Sequence, residues 1–257
     1  MSSVDVNIDR PGVIGSKVWT RGAEPVKTHR GDRSHREADA HRALSADGLA
    51  CADVTDALRR AHGHRAHITG LVSPVPTRHL FGRVITISFF PTFAERLSPE
   101  EFNFGRLFHQ AVQGATTDPA HTVLVMASNG YTKTSLAGGT KLSRLTNAGL
   151  AGVLTDGRLR DFDDLAEEPY AAWCSGEAVA WGGGDVTPFQ ANVPIVIGGV
   201  GVYPGQYVFC DSSGAVFIPE ADIDNVLETA HQIRRDDASY RTGIARENVD
   251  DAHGTER

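Results

Sequence analysis

Two short apolar runs, HTVLVMA (121–127) and AGVLTD (151–156), frame a glycine-rich loop and a helical segment, and this unit constrains the fold more than any other feature. Unbroken apolar runs of that length read as strands buried on both faces. Between them SNGYTKTSLAGG (128–139) reads as a loop and 140–148 as a helix. The alternation extends outward. LFGRVITISFF (80–90) is β-rich, and Phe104, Leu107, Phe108 and Ala111 recur at helical spacing within about 100–113. Ser45-Ala-Asp47 can cap a helix that carries Leu49, Val54, Ala57 and Leu58 and stops at Gly63. Downstream, PIVIGG and VGVY are apolar strand pieces, and PGQYVFCDSSGAVFIP (204–219) reads as strand, turn, strand. A last helix over 220–235 presents Ile223, Val226, Leu227 and Ala230. Strands alternating with helices imply an α/β fold, and the late hairpin implies mixed sheets.

No linker interrupts 44–235, so one domain is expected over 44–242. Residues 1–43 lack apolar periodicity and read as a flexible N-terminal extension, and 243–257 as a polar tail. The net charge of −7 argues against a nucleic-acid or membrane-surface partner, each of which needs a basic face. MSSVDVNIDRPG has neither the basic nor the apolar region of a signal peptide, and Pro188, Pro194 and Pro204 break the longest charge-free run. A cytoplasmic protein is the expectation. Cys51, Cys174 and Cys210 are far apart and read as buried apolar residues, not as a disulfide framework.

The glycines first invite a nucleotide site. GGVGVYPG (198–205) lacks the third glycine of the dinucleotide fingerprint, however, and GGTK (138–141) lacks phosphate-loop spacing. No metal-ligand cluster of Cys and His exists; His62, His64 and His67 lie in a loop-like stretch and read as solvated. Two glycine-punctuated turns remain. Leu136–Leu142 precedes a helix, so its N–H groups either close a tight connection or hold a carboxylate or phosphate. TDGRLRD (155–161) leaves a strand. Arg160 offers a planar fork for a carboxylate or 2-oxo acid and Asp161 hard oxygen for Mg²⁺ or Mn²⁺; alternatively Asp161 merely caps the helix DFDDLAEE and Arg160 is solvated.

Taken as one stretch, GGTKLSRLTNAGLAGVLTDGRLRD (138–161) resembles the RraA-like family, which includes 4-hydroxy-4-methyl-2-oxoglutarate aldolases. Gly138, Gly149, Gly152, Asp156, Gly157, Arg160 and Asp161 fall in register without a gap. ADVTDAL (52–58) and the 194–219 segment extend the likeness. The resemblance implies an α/β/β/α sandwich of the swivelling-domain-like type, assembled as a homotrimer or hexamer with sites between subunits. It implies a lyase acting on a 2-oxo acid, by retro-aldol cleavage or decarboxylation of an oxaloacetate-like substrate, through an enolate stabilised by Mg²⁺ or Mn²⁺. Asp161 would anchor the metal, Arg160 would bind the 2-oxo and carboxylate oxygens, and the N–H groups of Gly138, Gly139, Thr140, Lys141 and Leu142 would hold the carboxylate.

Two positions depart from the family pattern. The acidic residue that follows the first glycine is Gly139 here, and the aspartate of the Pro-Gly-Asp turn is Gln206. For the late carboxylate contributed by a neighbouring subunit, Asp237 is the best match, with Asp236 beside it. Lys141, one of only four lysines, follows the altered position and either places an ammonium near an anionic substrate or is a solvated helix start. A second class of function is a non-enzymatic regulator of the kind that inhibits RNase E, in which the ring surface rather than the cleft would matter. Gly139, the N-terminal extension and the aromatic stretch FFPTFAERLSPEEFNFG (89–105) also suit a diverged lyase with a reshaped pocket.

Overall fold

The computed structural model describes residues 33–61, 66–93 and 95–245. In chain order these begin with α1 (Arg33–Ala46), α2 (Cys51–Ala61), β1 (His67–Ile68), β2 (Leu80–Pro91), α3 (Phe104–Gln113) and β3 (Thr122–Ala127). Then follow β4 (Ser135–Ala137), α4 (Gly139–Ala148), β5 (Gly152–Thr155), β6 (Arg158–Leu159), α5 (Phe162–Glu167) and β7 (Ala171–Trp173). The chain closes with β8 (Val186–Ala191), β9 (Ile195–Ile197), β10 (Val200–Val202), β11 (Tyr207–Asp211), β12 (Gly214–Ile218) and α6 (Ile223–Ile244).

HTVLVMA is apolar because β3 is the middle of the main sheet. It pairs in parallel with β2 on one side and β5 on the other, and all six of its residues are buried. The sheet runs β1-β12-β11-β2-β3-β5-β7, with β8 also paired to β2; parallel pairs on the β3 side give way to antiparallel pairs from β11 onward. The mixed α/β class read from the sequence is the class observed.

Strand alternation sorts the side chains into layers. Ile85, Ile87, Leu124, Met126 and Val153 face Phe104, Phe108, Leu142, Leu145 and Leu165 of α3, α4 and α5. The intervening residues Val84, Val123, Val125 and Leu154 face Val208, Cys210 and Phe217 and the β9–β10 hairpin. The opposite faces of β11 and β12, through Tyr207, Phe209, Val216 and Ile218, meet Val54 and Leu58 of α2 and Val226 and Ala230 of α6. The sheet therefore coils around an inner apolar layer with helices on both outsides, which is the α/β/β/α order. Each fully buried Leu, Ile or Phe contributes roughly 1.5–3 kcal/mol to that packing.

Three local expectations change. Ser45 lies inside α1, which runs to Ala46, so Ser45-Ala-Asp47 does not start α2; instead the Asp53 carboxylate accepts from Ala50 N–H at 3.0 Å at its N-terminus. Gly63 lies outside the described residues, as do His62, His64, residues 1–32 and 246–257. Residues 33–43, read as part of the N-terminal extension, belong to helix α1. Its Asp39 is 1% exposed and bonds Arg83 and Tyr207, a polar anchor that a search for apolar periodicity misses. Finally α6 continues to Ile244 rather than ending near Arg235, because its last turns stay helical after their apolar face ends at Ile233.

The three cysteines are free and buried, and burial pushes each thiol above its ordinary pKa. Among the described residues no helix is long and apolar enough to cross a membrane.

Candidate functional site

The two glycine turns lie side by side. β4 and β6 pair in parallel, Ser135 opposite Arg158 and Ala137 opposite Leu159, and the Arg160 N–H donates to Ala137 O at 3.1 Å. Gly138 and Arg160, 22 positions apart, therefore leave adjacent strand ends. Gly157 allows this pairing because a Cβ there would meet Leu136 Cγ at 2.7 Å. Upstream in the same turn Asp156 is structural. One of its oxygens accepts from Ser128 N–H (2.7 Å) and the other from Gly198 N–H (3.2 Å), joining the loop after β3 to the β9–β10 hairpin.

Asp161 precedes α5 in the left-handed region (φ 63°, ψ 50°), a conformation aspartate tolerates better than most residues. Its side chain does not cap α5, although the sequence allowed that. The cap comes from Glu177, whose carboxylate accepts the Phe162 N–H at 3.1 Å. The Asp161 carboxylate turns back instead, so that Oδ2 accepts the Gly139 N–H at 3.0 Å and Oδ1 lies 3.7 Å from Arg160 Nη2. Gly138 makes room for it, since a Cβ there would lie 2.5 Å from Asp161 Oδ2 and 3.1 Å from Arg160 Cβ. A chain that places glycine opposite an aspartate in this way holds one carboxylate oxygen and leaves the other available.

Gly138, Thr140, Lys141, Arg160, Asp161 and Trp181 border a common cleft of about 160 Å³. The row of N–H groups expected from Gly138 to Leu142 is narrower than the sequence suggested. Gly139 N–H is taken by Asp161, Lys141 and Leu142 N–H both donate to Gly138 O at 3.0 Å, and the Leu142 side chain is fully buried in the core. Thr140 keeps its place on the cleft at the start of α4, where the helix end favours negative charge. Lys141 is half-buried, its Nζ 5.9 Å from the Phe104 ring centroid. Burial, with Arg144 and Arg160 nearby, holds its pKa below the ordinary lysine value.

Asp237 and its neighbour Asp236 are exposed on α6, which packs on α2 in the opposite helical layer, so a single chain does not bring them to the cleft. Trp181 was not singled out from the sequence. It is 68% exposed and reaches the cleft from the segment WGGG (181–184), where a Cβ at Gly182 would meet Ser135 O at 1.9 Å. The sequence signal was a tryptophan next to three glycines, where backbone must pass close to other backbone.

Among the described residues no three His, Cys, Asp or Glu side chains cluster as a metal cage. Mg²⁺ needs none: it retains several waters and uses one or two carboxylates together with substrate oxygens, and the free Asp161 oxygen is a hard donor of that kind. The residues present therefore fit such an ion, which Asp161 would hold.

The chain is similar to known proteins over most of its length. Residues 51–217 match the family profile described as RraA-like, Aldolase/RraA. A 4-hydroxy-4-methyl-2-oxoglutarate aldolase from Thermus thermophilus is 34% identical over 106 residues, 39% of this chain and 61% of that protein. Protein DlpA from Legionella pneumophila is 26% identical over 155 residues, 60% of this chain and 25% of that protein. The chain thus spans less than two thirds of these curated relatives. RraAS2 of Streptomyces coelicolor, an unusual member of the RNase ES inhibitor RraA protein family, superimposes with a TM-score of 0.68 over 83% of this chain and 99% of its own. It is 21% identical, a likeness of fold. The chain belongs to the RraA-like family.

Proposed function

We propose that the cleft binds a 2-oxo acid and that the protein is a lyase, breaking a carbon–carbon bond by retro-aldol cleavage or decarboxylation through an enolate. The observation that carries this reading is the Asp161 carboxylate, fixed by Gly139 N–H and set beside the Arg160 guanidinium in one cleft. The aldolase name of the Thermus thermophilus relative supports the same class.

Mg²⁺ or Mn²⁺ on Asp161 would supply Lewis-acid polarisation of the 2-oxo oxygen. Arg160 holds the substrate's carboxylate and 2-oxo oxygens with its fork and offsets the negative charge that collects there as the bond breaks. The Thr140 end of α4 adds a positive field for the carboxylate. Trp181 borders the cleft and gives the substrate an apolar side to lie against. In this reading the sites lie between subunits of a trimer or hexamer, and Asp237 enters from a second copy.

Exchange of the pyruvate methyl protons in deuterated buffer with Mg²⁺ tests the proposal. Exchange above the buffer rate is expected, lost on adding EDTA and lowered about 10²- to 10³-fold in Arg160→Ala, as for removal of one donor to a developing oxyanion. A rate equal to buffer, unchanged in Arg160→Ala, refutes it.

A further inference from the structure

Lys141 is the cationic side chain of the cleft to which the lyase reading gives no task. It sits in the first turn of α4, and its surroundings are aromatic and cationic. Phe104 from α3 lies 5.9 Å from Nζ, Arg144 follows on its own helix, and Arg160 faces it from the segment before α5. Trp181 borders the same cleft. Asp161, the acid of that cleft, has one oxygen held by Gly139 N–H, and the other, 3.7 Å from Arg160, is the oxygen the lyase reading assigns to the metal. Among the described residues no carboxylate lies within ion-pair distance of Lys141. Position 139, immediately before Thr140, has no side chain to serve as an acid or base.

A lysine screened from water, beside two guanidinium groups and with no counter-ion among the described residues, gives up its proton more readily than a solvated lysine. Its ammonium is the better acid of the two, and the amine left behind is a base.

We propose that Lys141 is the proton-transfer group of this cleft: its neutral amine takes a proton from carbon 3 of a 2-oxo acid, and its ammonium returns one there after carbon–carbon cleavage. This rests on the lyase reading above. In the first direction the Nζ lone pair forms a new N–H bond as the C3–H bond breaks. The released pair forms the C2–C3 double bond, and the carbonyl pair moves onto the 2-oxo oxygen beside Arg160. In the second direction the oxygen pair reforms the carbonyl, the C2–C3 pair takes the proton from Nζ, and the amine is regenerated. No oxidant or reductant enters.

The test uses the full chain with Mg²⁺ and pyruvate in deuterated buffer, following methyl exchange by proton NMR. Lys141→Ala is expected to lower exchange about 10²- to 10⁴-fold, the usual contribution of a positioned acid or base. Pyruvate binding, read by ligand-detected NMR, should persist. Added ammonium or methylamine should restore exchange in Lys141→Ala in proportion to its concentration, which a merely structural lysine would not permit. Lys141→Arg, cationic but unable to release its proton, should be as slow as Lys141→Ala. Lys141→Met keeps the apolar stem against Phe104 and serves if the alanine variant unfolds. Exchange in wild type that survives in Lys141→Ala or Lys141→Met, full activity in Lys141→Arg, or no amine rescue overturns the assignment alone. Wild-type protein without exchange overturns the lyase reading and the assignment with it.

Discussion

Gly138→Ala is the sharpest perturbation of the cleft, because the reason for this glycine is visible in a single distance. Its backbone is extended (φ −147°, ψ −176°), a conformation alanine adopts without strain, so any effect must come from the added methyl. That Cβ would stand 2.5 Å from Asp161 Oδ2, and the oxygen must retreat by about 0.9 Å to reach an ordinary 3.4 Å contact. A retreat of that size opens the 3.0 Å bond from Gly139 N–H beyond hydrogen-bond range. Hydrogen bonds to charged groups contribute about 1.5–3 kcal/mol, and with Asp161 one-third exposed the lower half of that range applies. Stiffening the unfolded chain returns about 0.4–1 kcal/mol. The net loss is about 1 kcal/mol, or a fall in Tm of about 2–4 °C for a domain of this size, measured by calorimetry. Pyruvate exchange should suffer far more, about 10²-fold, since misplacing a reacting group by about 1 Å has that effect. Gly139→Ala is the control. Its Cβ meets the exposed Asp164 side chain at 3.3 Å and Asp161 Cβ at an ordinary 3.7 Å, and alanine suits the first helical position, so Tm should hold or rise with exchange intact. Wild-type Tm and exchange in Gly138→Ala would refute the account of how Asp161 is held.

Asp156→Ala removes the acceptor for both Ser128 and Gly198 N–H and should lower stability by about 2–3 kcal/mol, read as a lower urea midpoint with an unchanged slope. Burial opposes ionisation of Asp39, but hydrogen bonds from Arg83 and Tyr207 outweigh it and hold its carboxyl below the usual aspartate range. Its contribution is therefore fully present above the unfolded pKa of about 3.9 and is lost as pH falls through the lower folded value. Circular dichroism during acid titration should show that loss, and Asp39→Asn should lack it while being less stable at neutral pH, with Arg83 left short of its buried partner. Trp181→Ala should leave stability within about 0.5 kcal/mol of wild type in urea unfolding, because the residue is mostly exposed, yet raise the KM for a 2-oxo acid in steady-state kinetics.

Periodicity made the inner half of the fold legible. β3 and β5 are apolar throughout because both faces are covered, and α3 shows its buried stripe at helical spacing. The elements that periodicity missed are held by other forces. Helix α1 has an apolar content too low to signal burial, and it docks through Asp39 on Arg83 and Tyr207 and through Arg42 on Asp224. β4 and β6, of three and two residues, are too short for any pattern; they exist because Gly157 lets Leu136 approach. The same shortness hid the adjacency of Gly138 and Arg160, which the register of β4 against β6 supplies.

At the cleft itself the sequence showed the reactive groups but not how they are divided. Within TDGRLRD, Asp156 and Asp161 look alike on paper. The first is consumed by two backbone N–H groups and the second by one, which leaves an oxygen for chemistry. Gly139 changes meaning in the same way. Read alone it was a missing acid; in the structure the space its side chain would enter is bordered by Asp164, whose carboxylate oxygen lies 3.3 Å from the would-be Cβ. A carboxylate on residue 139 would sit against Asp161 and Asp164 together, like charge against like charge. Glycine at 139 avoids that contact, and it shifts the demand for an acid or base to a neighbouring side chain. Lys141 is the titratable group of the same helical turn that borders the cleft.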